Sequence, residues 1–315
     1  MGNAKPSRFV IDWGTSNFRA YRFAEDGRVA ETHQAPCGIL SVNERGFAAV
    51  LQQQIGHWLK RGDQLYFSGM ITSRNGWIET PYVDAPAGLG DLARAAVHKT
   101  GEGDTQHFFL PGVCMRSPHA DVMRGEEIQV FGSLAPDEHS AQVILPGTHS
   151  KWVRVEDGTL THFTTHMTGE VFAVMRQHSI LGRLMPEVTQ PMRTEAFLRG
   201  VARSQSDEAD GLLHDLFTAR SMVLLEQMPA DDCADYLSGV LIGHEIRAGL
   251  ASAGRASTHR PSTQGQGPII LVGDEALCRR YEMALIAYDP VLRSRVRLGP
   301  PQASVEGFAR LNAFL

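Results

Sequence analysis

One element of this sequence occurs twice, and it limits the possible folds more than anything else in it. Residues 9–23, FVIDWGTSNFRAYRF, run from the apolar β-formers Phe9-Val10-Ile11 into Asp12. A turn of small residues, Gly14, Thr15 and Ser16, follows, and an alternating run from Phe18 to Phe23 completes the unit. Residues 143–163, VILPGTHSKWVRVEDGTLTHF, repeat the plan. Val143-Ile144 matches Val10-Ile11, Gly147-Thr148 matches Gly14-Thr15, and Trp152-Val153-Arg154 matches Phe18-Arg19. Asp157-Gly158 matches Asp26-Gly27, a hairpin-turn dipeptide. Two such hairpins predict two related domains facing each other. At the strand end the first copy has Asp12 and the second has Leu145-Pro146. The acid is therefore not needed to form the turn, although Asx capping of the turn is an alternative role for it.

The rest of the chain alternates strand and helix patterns, which predicts an α/β class. The spacing predicts helices over 46–60, 126–135, 169–182 (closed by Gly182), 211–227, 232–251, 275–287 and 303–315. Strands are predicted over 8–12, 18–23, 64–69 and 268–274, the last ending in Gly273-Asp274. Residues 252–267, SAGRASTHRPSTQGQG, read as a polar loop.

A turn of Gly, Thr and Ser leaves backbone N–H groups uncovered, and such groups with hydroxyls beside them cradle phosphate oxygens. Two of them could grip a polyphosphate from both sides. An acid at the first could hold Mg²⁺ directly or through water, since magnesium takes one or two carboxylates plus phosphate oxygens. The sequence has no Walker-type G-x-x-x-x-G-K-[ST] and no G-x-G-x-x-G after a strand. It also has no G-x-S-x-G elbow.

Composition removes other classes. With a net charge of −5 and scattered arginines, nothing points to nucleic acid. The apolar runs fall far short of the ~20 residues of a membrane span. MGNAKPSRF has no apolar core for a signal peptide, and Pro6 breaks the myristoylation pattern. Cys37, Cys114, Cys233 and Cys278 are isolated, as expected of reduced thiols in a cytoplasmic protein.

The paired segments IDWGTSNFRA and LPGTHSKW resemble the two phosphate motifs of the sugar kinase, heat-shock 70 and actin superfamily. The set GMITSRNGW, LPGVC, DVMRGEE, LPGTHSKWV, HMTGE, LSGVLIGHE and LVGDEALCRRY is similar to one family within it, 2-dehydro-3-deoxygalactonokinase. These segments run in the family's order along almost the whole chain. The resemblance implies two actin-like (ribonuclease H-like) domains, 1–135 and 136–315, with an interdomain nucleotide cleft. The last helix is left free to pack back on the N-terminal domain. It further implies ATP and Mg²⁺ as cofactors and transfer of the γ-phosphoryl group to the 6-hydroxyl of 2-dehydro-3-deoxy-D-galactonate. In related kinases the third strand commonly ends in Gly-Gly or Gly-Thr at the adenosine. Gly273-Asp274 departs from this and puts an adenosine contact by Asp274 in doubt, though not one by Gly273.

Phosphoryl transfer needs alignment and charge neutralisation more than covalent chemistry. Gly14, Thr15, Ser16 and Asn17, with Gly147, Thr148, His149, Lys151 and Gly273, are the candidate nucleotide contacts. Asp12 is the metal-organising acid. Glu126 matches by position the catalytic aspartate of the glycerol and xylulose kinase branch and is the candidate base; Glu127 is the fallback, and a helix first-turn acid is the bland alternative. Arg19, Ser73, Arg74, Arg124 and His166 are candidates for the substrate, whose carboxylate suits an arginine fork. Met70, Trp77 and Tyr82 could stack on a sugar but suit packing better. The partners expected are a sugar acid and ATP, with no nucleic acid and no membrane, and a homodimer is left open. The alternative is another sugar or sugar-acid kinase on this scaffold, for a 2-dehydro-3-deoxygluconate or an amino sugar. An actin- or chaperone-like ATPase would want a further module after the third strand, and a sugar-sensing repressor a DNA-binding segment before Asp12; neither is expected.

Overall fold

The computed structural model describes residues 6–42, 46–186, 191–206, 211–255 and 267–314. In chain order the elements begin with strands β1 (Arg8–Trp13), β2 (Phe18–Phe23) and β3 (Val29–Ala35), helix α1 (Gly46–Ile55) and β4 (Gln64–Ser68). Then come β5 (Tyr82–Asp84), α2 (Leu89–Arg94), β6 (Val97–Thr100), β7 (Gln106–Phe109), β8 (Gly112–Met115), β9 (Asp121–Met123) and α3 (Glu126–Ser133). The second half holds β10 (Ala141–Leu145), β11 (Ser150–Glu156), β12 (Thr159–His166), α4 (Thr168–His178), α5 (Thr194–Gln205), α6 (Leu212–Leu224) and α7 (Cys233–Arg255). It closes with β13 (Ile269–Leu271), α8 (Glu275–Tyr288), β14 (Val296–Leu298) and α9 (Ala303–Leu311).

The chain divides into two compact units. The first comprises Met1–His139, Glu156–His162 and Pro300–Leu315; the second comprises Ser140–Val155 and Phe163–Gly299. The main sheet of the first has the order β3-β2-β1-β4-β7-β6, and that of the second β12-β11-β10-β13-β14. In each, the leading strand pairs antiparallel with its hairpin partner and parallel with the strand that follows a crossover. The plan written twice in the sequence is thus built twice, as two ribonuclease H-like sheets of the actin-like kind.

The register corrects one detail of the sequence comparison. Asp12 lies opposite Arg19, whereas Leu145 lies opposite Lys151. The second turn is one residue shorter, so Lys151 occupies the place of Arg19. Trp152 then corresponds to Ala20, not to Phe18.

The first core is aromatic, with Phe9, Trp13, Phe18, Phe67 and Phe109 all buried. In the same unit α9 lies against α3 so closely that a methyl group on Gly132 would sit 1.8 Å from the Ala303 carbonyl oxygen. One on Gly307 would sit 2.0 Å from that of Ile128. The second core brings Ile144 and Trp152 against Phe197, Val201, Ile246 and Tyr281.

Several boundaries move. The helix predicted over 169–182 ends at His178, and Gly182 opens a short 3-10 turn. α7 runs on through Arg255, and residues 256–266 of the predicted polar loop lie outside the described residues. The last helix stops at Leu311 and a 3-10 turn follows. A three-stranded sheet, β5-β8-β9, and helix α5 are not among the predicted elements, although α5 buries Ala196, Phe197, Gly200, Val201 and Ser204 at helical spacing.

Candidate active site

β1 carries the apolar run that buries Phe9, Val10 and Ile11, and it delivers Asp12 at its end. The turn beyond closes on itself through the Gly14 N–H donating to the Asn17 carbonyl at 2.9 Å. A neighbouring segment backs it: Ile39 N–H donates to the Gly14 carbonyl at 3.0 Å, and Leu40 N–H to that of Thr15 at 3.3 Å. The Trp13 indole N–H adds a bond to the Cys37 carbonyl at 2.8 Å. Gly38 lies so near that a methyl group there would be 2.1 Å from the Thr15 oxygen. The turn's carbonyls are therefore drawn inward, while Thr15, Ser16 and Asn17 stand exposed.

Three strand and helix ends meet beside Asp12. β4 runs parallel to β1 with Ser68 opposite Asp12, and Gly69 follows at φ 90°. A methyl group on Gly69 would lie 3.3 Å from Asp12 Oδ1, and one on Gly125, at φ 106°, 3.0 Å from Gly69 Cα. Only glycine combines these positive φ angles with such an approach at no steric cost. The stacking of the two glycines sets the start of α3, hence Glu126 and Glu127, in the same corner as Asp12.

Asp12 is 18% exposed, and its Oδ2 lies 3.4 Å from Arg19 Nη1. Burial raises its pKa, and Arg19 only partly opposes that. Glu126 is half-buried, with Oε2 accepting the Arg124 backbone N–H at 2.9 Å. Glu127 is 1% exposed, and its two oxygens receive the Gly125 N–H at 2.9 and 2.8 Å. Burial first, and the Glu126 charge second, push Glu127 up to about 8.

The guanidinium of Arg124 turns into the protein. Nη1 donates to the Thr72 carbonyl, the Thr72 hydroxyl and the Thr80 hydroxyl at 2.7, 2.9 and 2.6 Å. Nη2 reaches the Thr80 carbonyl at 3.1 Å, and the group stacks 4.3 Å from the Tyr82 ring centroid. This arginine pins the loop that presents Ser73 and Arg74. Ser73 Oγ donates to the Met70 carbonyl at 2.7 Å, and Arg74 is exposed. Met70 and Trp77 pack on the first core.

The second turn is built on α4. Gly169 lies where a methyl group would be 2.4 Å from the Gly147 oxygen, and Glu170 N–H donates to the Thr148 carbonyl at 3.0 Å. Thr148 and His149 are exposed, and His149 Nε2 pairs with Glu170. Lys151 is buried, its Nζ 2.8 Å from Thr165 Oγ1. Gly273, at φ 145°, approaches the Pro146 oxygen, so the end of β13 lies beside this turn. Asp274 caps α8, accepting the Leu277 N–H at 3.0 Å. His166 ends β12, with Nε2 3.3 Å from Thr164 Oγ1. A cavity of about 300 Å³ opens from Gly147 past Thr168, Ser238, Asp235, Arg280 and Tyr281.

Sequence reasoning missed Gly38, Gly69 and Thr80, whose roles rest on contacts with distant segments. Among the described residues no group of three or more His, Cys, Asp or Glu is placed to hold a metal. A partly buried carboxylate beside a bare turn still suits a hard cation whose other ligands are phosphate oxygens and water. Among the described residues no helix is long and apolar enough to cross a membrane.

The model of the family described as 2-keto-3-deoxy-galactonokinase matches residues 12–309. The chain is 36% identical over 280 residues, 88% of each chain, to a protein of Rhizobium meliloti (strain 1021) named "Probable 2-dehydro-3-deoxygalactonokinase DgoK1". It is 32% identical over 285 residues to the 2-dehydro-3-deoxygalactonokinase of Escherichia coli (strain K12), covering 89% of this chain and 90% of that one. A crystal structure described as that of "a putative 2-dehydro-3-deoxygalactonokinase protein from Sinorhizobium meliloti" superimposes with a TM-score of 0.82 at 32% identity. That match covers 98% of this chain and 97% of the other. With its repeated hairpin, its two bare turns and nearly its whole length matched, the chain belongs to the 2-keto-3-deoxy-galactonokinase family.

Proposed function

We propose that this protein is an ATP-dependent kinase that phosphorylates the 6-hydroxyl of 2-dehydro-3-deoxy-D-galactonate. The observation that carries the reading is the asymmetry between two otherwise matching units: both end in a bare turn, and only the first has a carboxylate, Asp12, at the strand end.

Each turn takes phosphate oxygens on N–H groups and hydroxyls that its own bonds leave open: those of Thr15, Ser16 and Asn17 in the first unit and of Thr148 in the second. The Gly14 and Gly147 N–H groups hold the turns in shape by donating to the Asn17 carbonyl and to Ser150 Oγ. Magnesium held by Asp12, directly or through water, would supply charge neutralisation at the phosphates. Asp12 meets this need because burial leaves its carboxylate short of compensation by Arg19 alone. Glu126 takes the proton from the sugar hydroxyl. Its Oε2 is held by the Arg124 amide, which leaves its second oxygen for that proton. Glu127 is too deeply buried to meet a substrate. Arg74 and Arg19 receive the substrate carboxylate, and Arg124 holds the Arg74 loop in shape. Gly273 lies along the nucleoside, and Asp274 serves α8 instead.

The test is the identity of the product. ³¹P NMR of a reaction with 2-dehydro-3-deoxy-D-galactonate and ATP should show a phosphate monoester coupled to the two C6 protons. An ester at another carbon, or ADP formed with no ester, would refute the assignment.

A further inference from the structure

Three motifs converge on a buried chain of hydrogen bonds in the second unit. Glu245 ends LSGVLIGHE, Tyr281 ends LVGDEALCRRY, and Ser150 and Trp152 lie in LPGTHSKWV. Glu245 on α7 is 3% exposed, Tyr281 on α8 is 1% exposed, and Ser150 is fully buried. Glu245 Oε1 accepts the Trp152 indole N–H at 2.7 Å, and Oε2 accepts the Tyr281 hydroxyl proton at 2.7 Å. The Tyr281 oxygen lies 3.0 Å from Ser150 Oγ, and Ser150 Oγ lies 3.4 Å from the Gly147 nitrogen. Gly249 makes room for this, since a methyl group there would meet the Trp152 ring at 2.4 Å.

Proton counting gives the chain a direction. The indole N–H can only donate, and an ionised carboxylate can only accept. Tyrosine has one hydroxyl proton, and Glu245 takes it. The Tyr281 oxygen then has two lone pairs, one for the Thr168 hydroxyl and one for Ser150, which must donate to it, so the Ser150 lone pairs face the Gly147 N–H. The competing bond, from Ser150 Oγ to the Gly147 carbonyl at 3.5 Å, loses its proton to the 3.0 Å partner. Burial, and then the Glu245 charge, raise the Tyr281 pKa, which keeps the hydroxyl protonated.

We propose that Glu245 and Tyr281 are positioning residues for nucleotide binding: the carboxylate fixes the direction of the Tyr281 hydroxyl, and that hydroxyl orients Ser150 so that the Gly147 amide is held in the second phosphate turn. Neither residue touches the reacting atoms. The inference rests on the reading of that turn as a phosphate cradle.

The test compares Tyr281→Phe and Glu245→Gln by steady-state kinetics and by calorimetric binding of a non-hydrolysable ATP analogue with Mg²⁺. Losing one hydrogen bond to the turn should raise KM for ATP and the analogue Kd about threefold to tenfold. KM for the sugar acid should stay within twofold. Glu245→Gln keeps the core volume but reverses the chain. The amide oxygen must stay on the Trp152 N–H, so its NH₂ faces Tyr281, and the Tyr281 hydroxyl proton turns to Ser150 or Thr168, which removes the fixed direction of the Ser150 proton. It should therefore match Tyr281→Phe, and the double variant should be no worse than either single. A merely structural role would lower Tm and leave the ATP terms alone, and that result overturns the proposal. Should Glu245→Gln fail to fold, Tyr281→Phe decides alone. Gly169→Ala separates the two readings. If it weakens analogue binding while Tyr281→Phe does not, the relay is wrong and the cradle stands. If neither changes binding, the cradle is wrong, and the relay falls with it.

Discussion

Arg19 stands directly across the β1–β2 pair from Asp12, with Nη1 3.4 Å from Oδ2. At that distance the arginine moderates the acid without neutralising it. Burial remains the larger influence, and the Asp12 pKa is raised. A carboxyl with a folded-state pKa above its unfolded value favours folding most when protonated. Its contribution is present below the unfolded pKa and is lost as pH rises through the folded one. At neutral pH the ionised Asp12 is thus a cost to the fold. Asp12→Asn should lower kcat by roughly 10²-fold or more and, by differential scanning calorimetry at pH 7.5 without ligands, raise Tm by about 1–3 °C.

The two glutamates at the start of α3 should separate cleanly. Glu126→Gln should lower kcat by roughly 10²-fold with little change in KM, as expected for loss of a general base. Near-wild-type turnover would remove Glu126 from the mechanism.

Glu127 should declare itself through stability. Its folded pKa, about 8, exceeds the ordinary 4.5, so its contribution is complete below about pH 4.5 and declines as pH rises toward 8. Between pH 5 and 8.5, Glu127→Gln should lose several degrees less in Tm than the wild type. Parallel Tm curves would contradict the buried, proton-holding carboxyl.

Two glycine substitutions probe packing in different places. Gly132→Ala would press a methyl group against the Ala303 oxygen and should destabilise by about 1–3 kcal/mol, with KM values unchanged. Gly169→Ala would press on Gly147 instead, and should raise KM for ATP about fivefold to tenfold while sparing the sugar acid. Denaturant melts and two-substrate kinetics give both answers.

Arg124→Lys tests whether the fork shapes the Thr72–Thr80 loop. Lysine cannot reproduce several planar donors at once. Tm should fall, and KM for the sugar acid should rise about tenfold through displacement of Ser73 and Arg74, with KM for ATP little changed. Equal effects on both substrates would place Arg124 elsewhere in the mechanism.

The duplicated sheets were legible because their signal is local. An apolar run with period two, a Gly-Thr turn and an Asp-Gly hairpin lie within some twenty residues of each other, and their recurrence needs no tertiary information. Long helices such as α7 and α8 were legible for the same reason. The register slip at Lys151 was not, because losing one residue from a turn leaves the apolar pattern nearly intact. The β5-β8-β9 sheet was hidden because two of its three strands have only three residues each, too few for a period. The inward turn of Arg124 depends on partners 52 and 44 residues away, and a sequence window shows only an arginine beside two acids. Glu245 lies inside the segment LSGVLIGHE, but its partners Trp152 and Tyr281 are 93 and 36 residues away, beyond any sequence window.

The most direct measurement is ADP release in a coupled assay, run as kcat/KM across 2-dehydro-3-deoxy-D-galactonate, its gluconate-derived epimer, and neutral hexoses and amino sugars. The account predicts the highest value for the galactonate-derived acid, with the neutral sugars lower by at least two orders of magnitude. Strong turnover of hexoses with none of the keto-deoxy acids would contradict it.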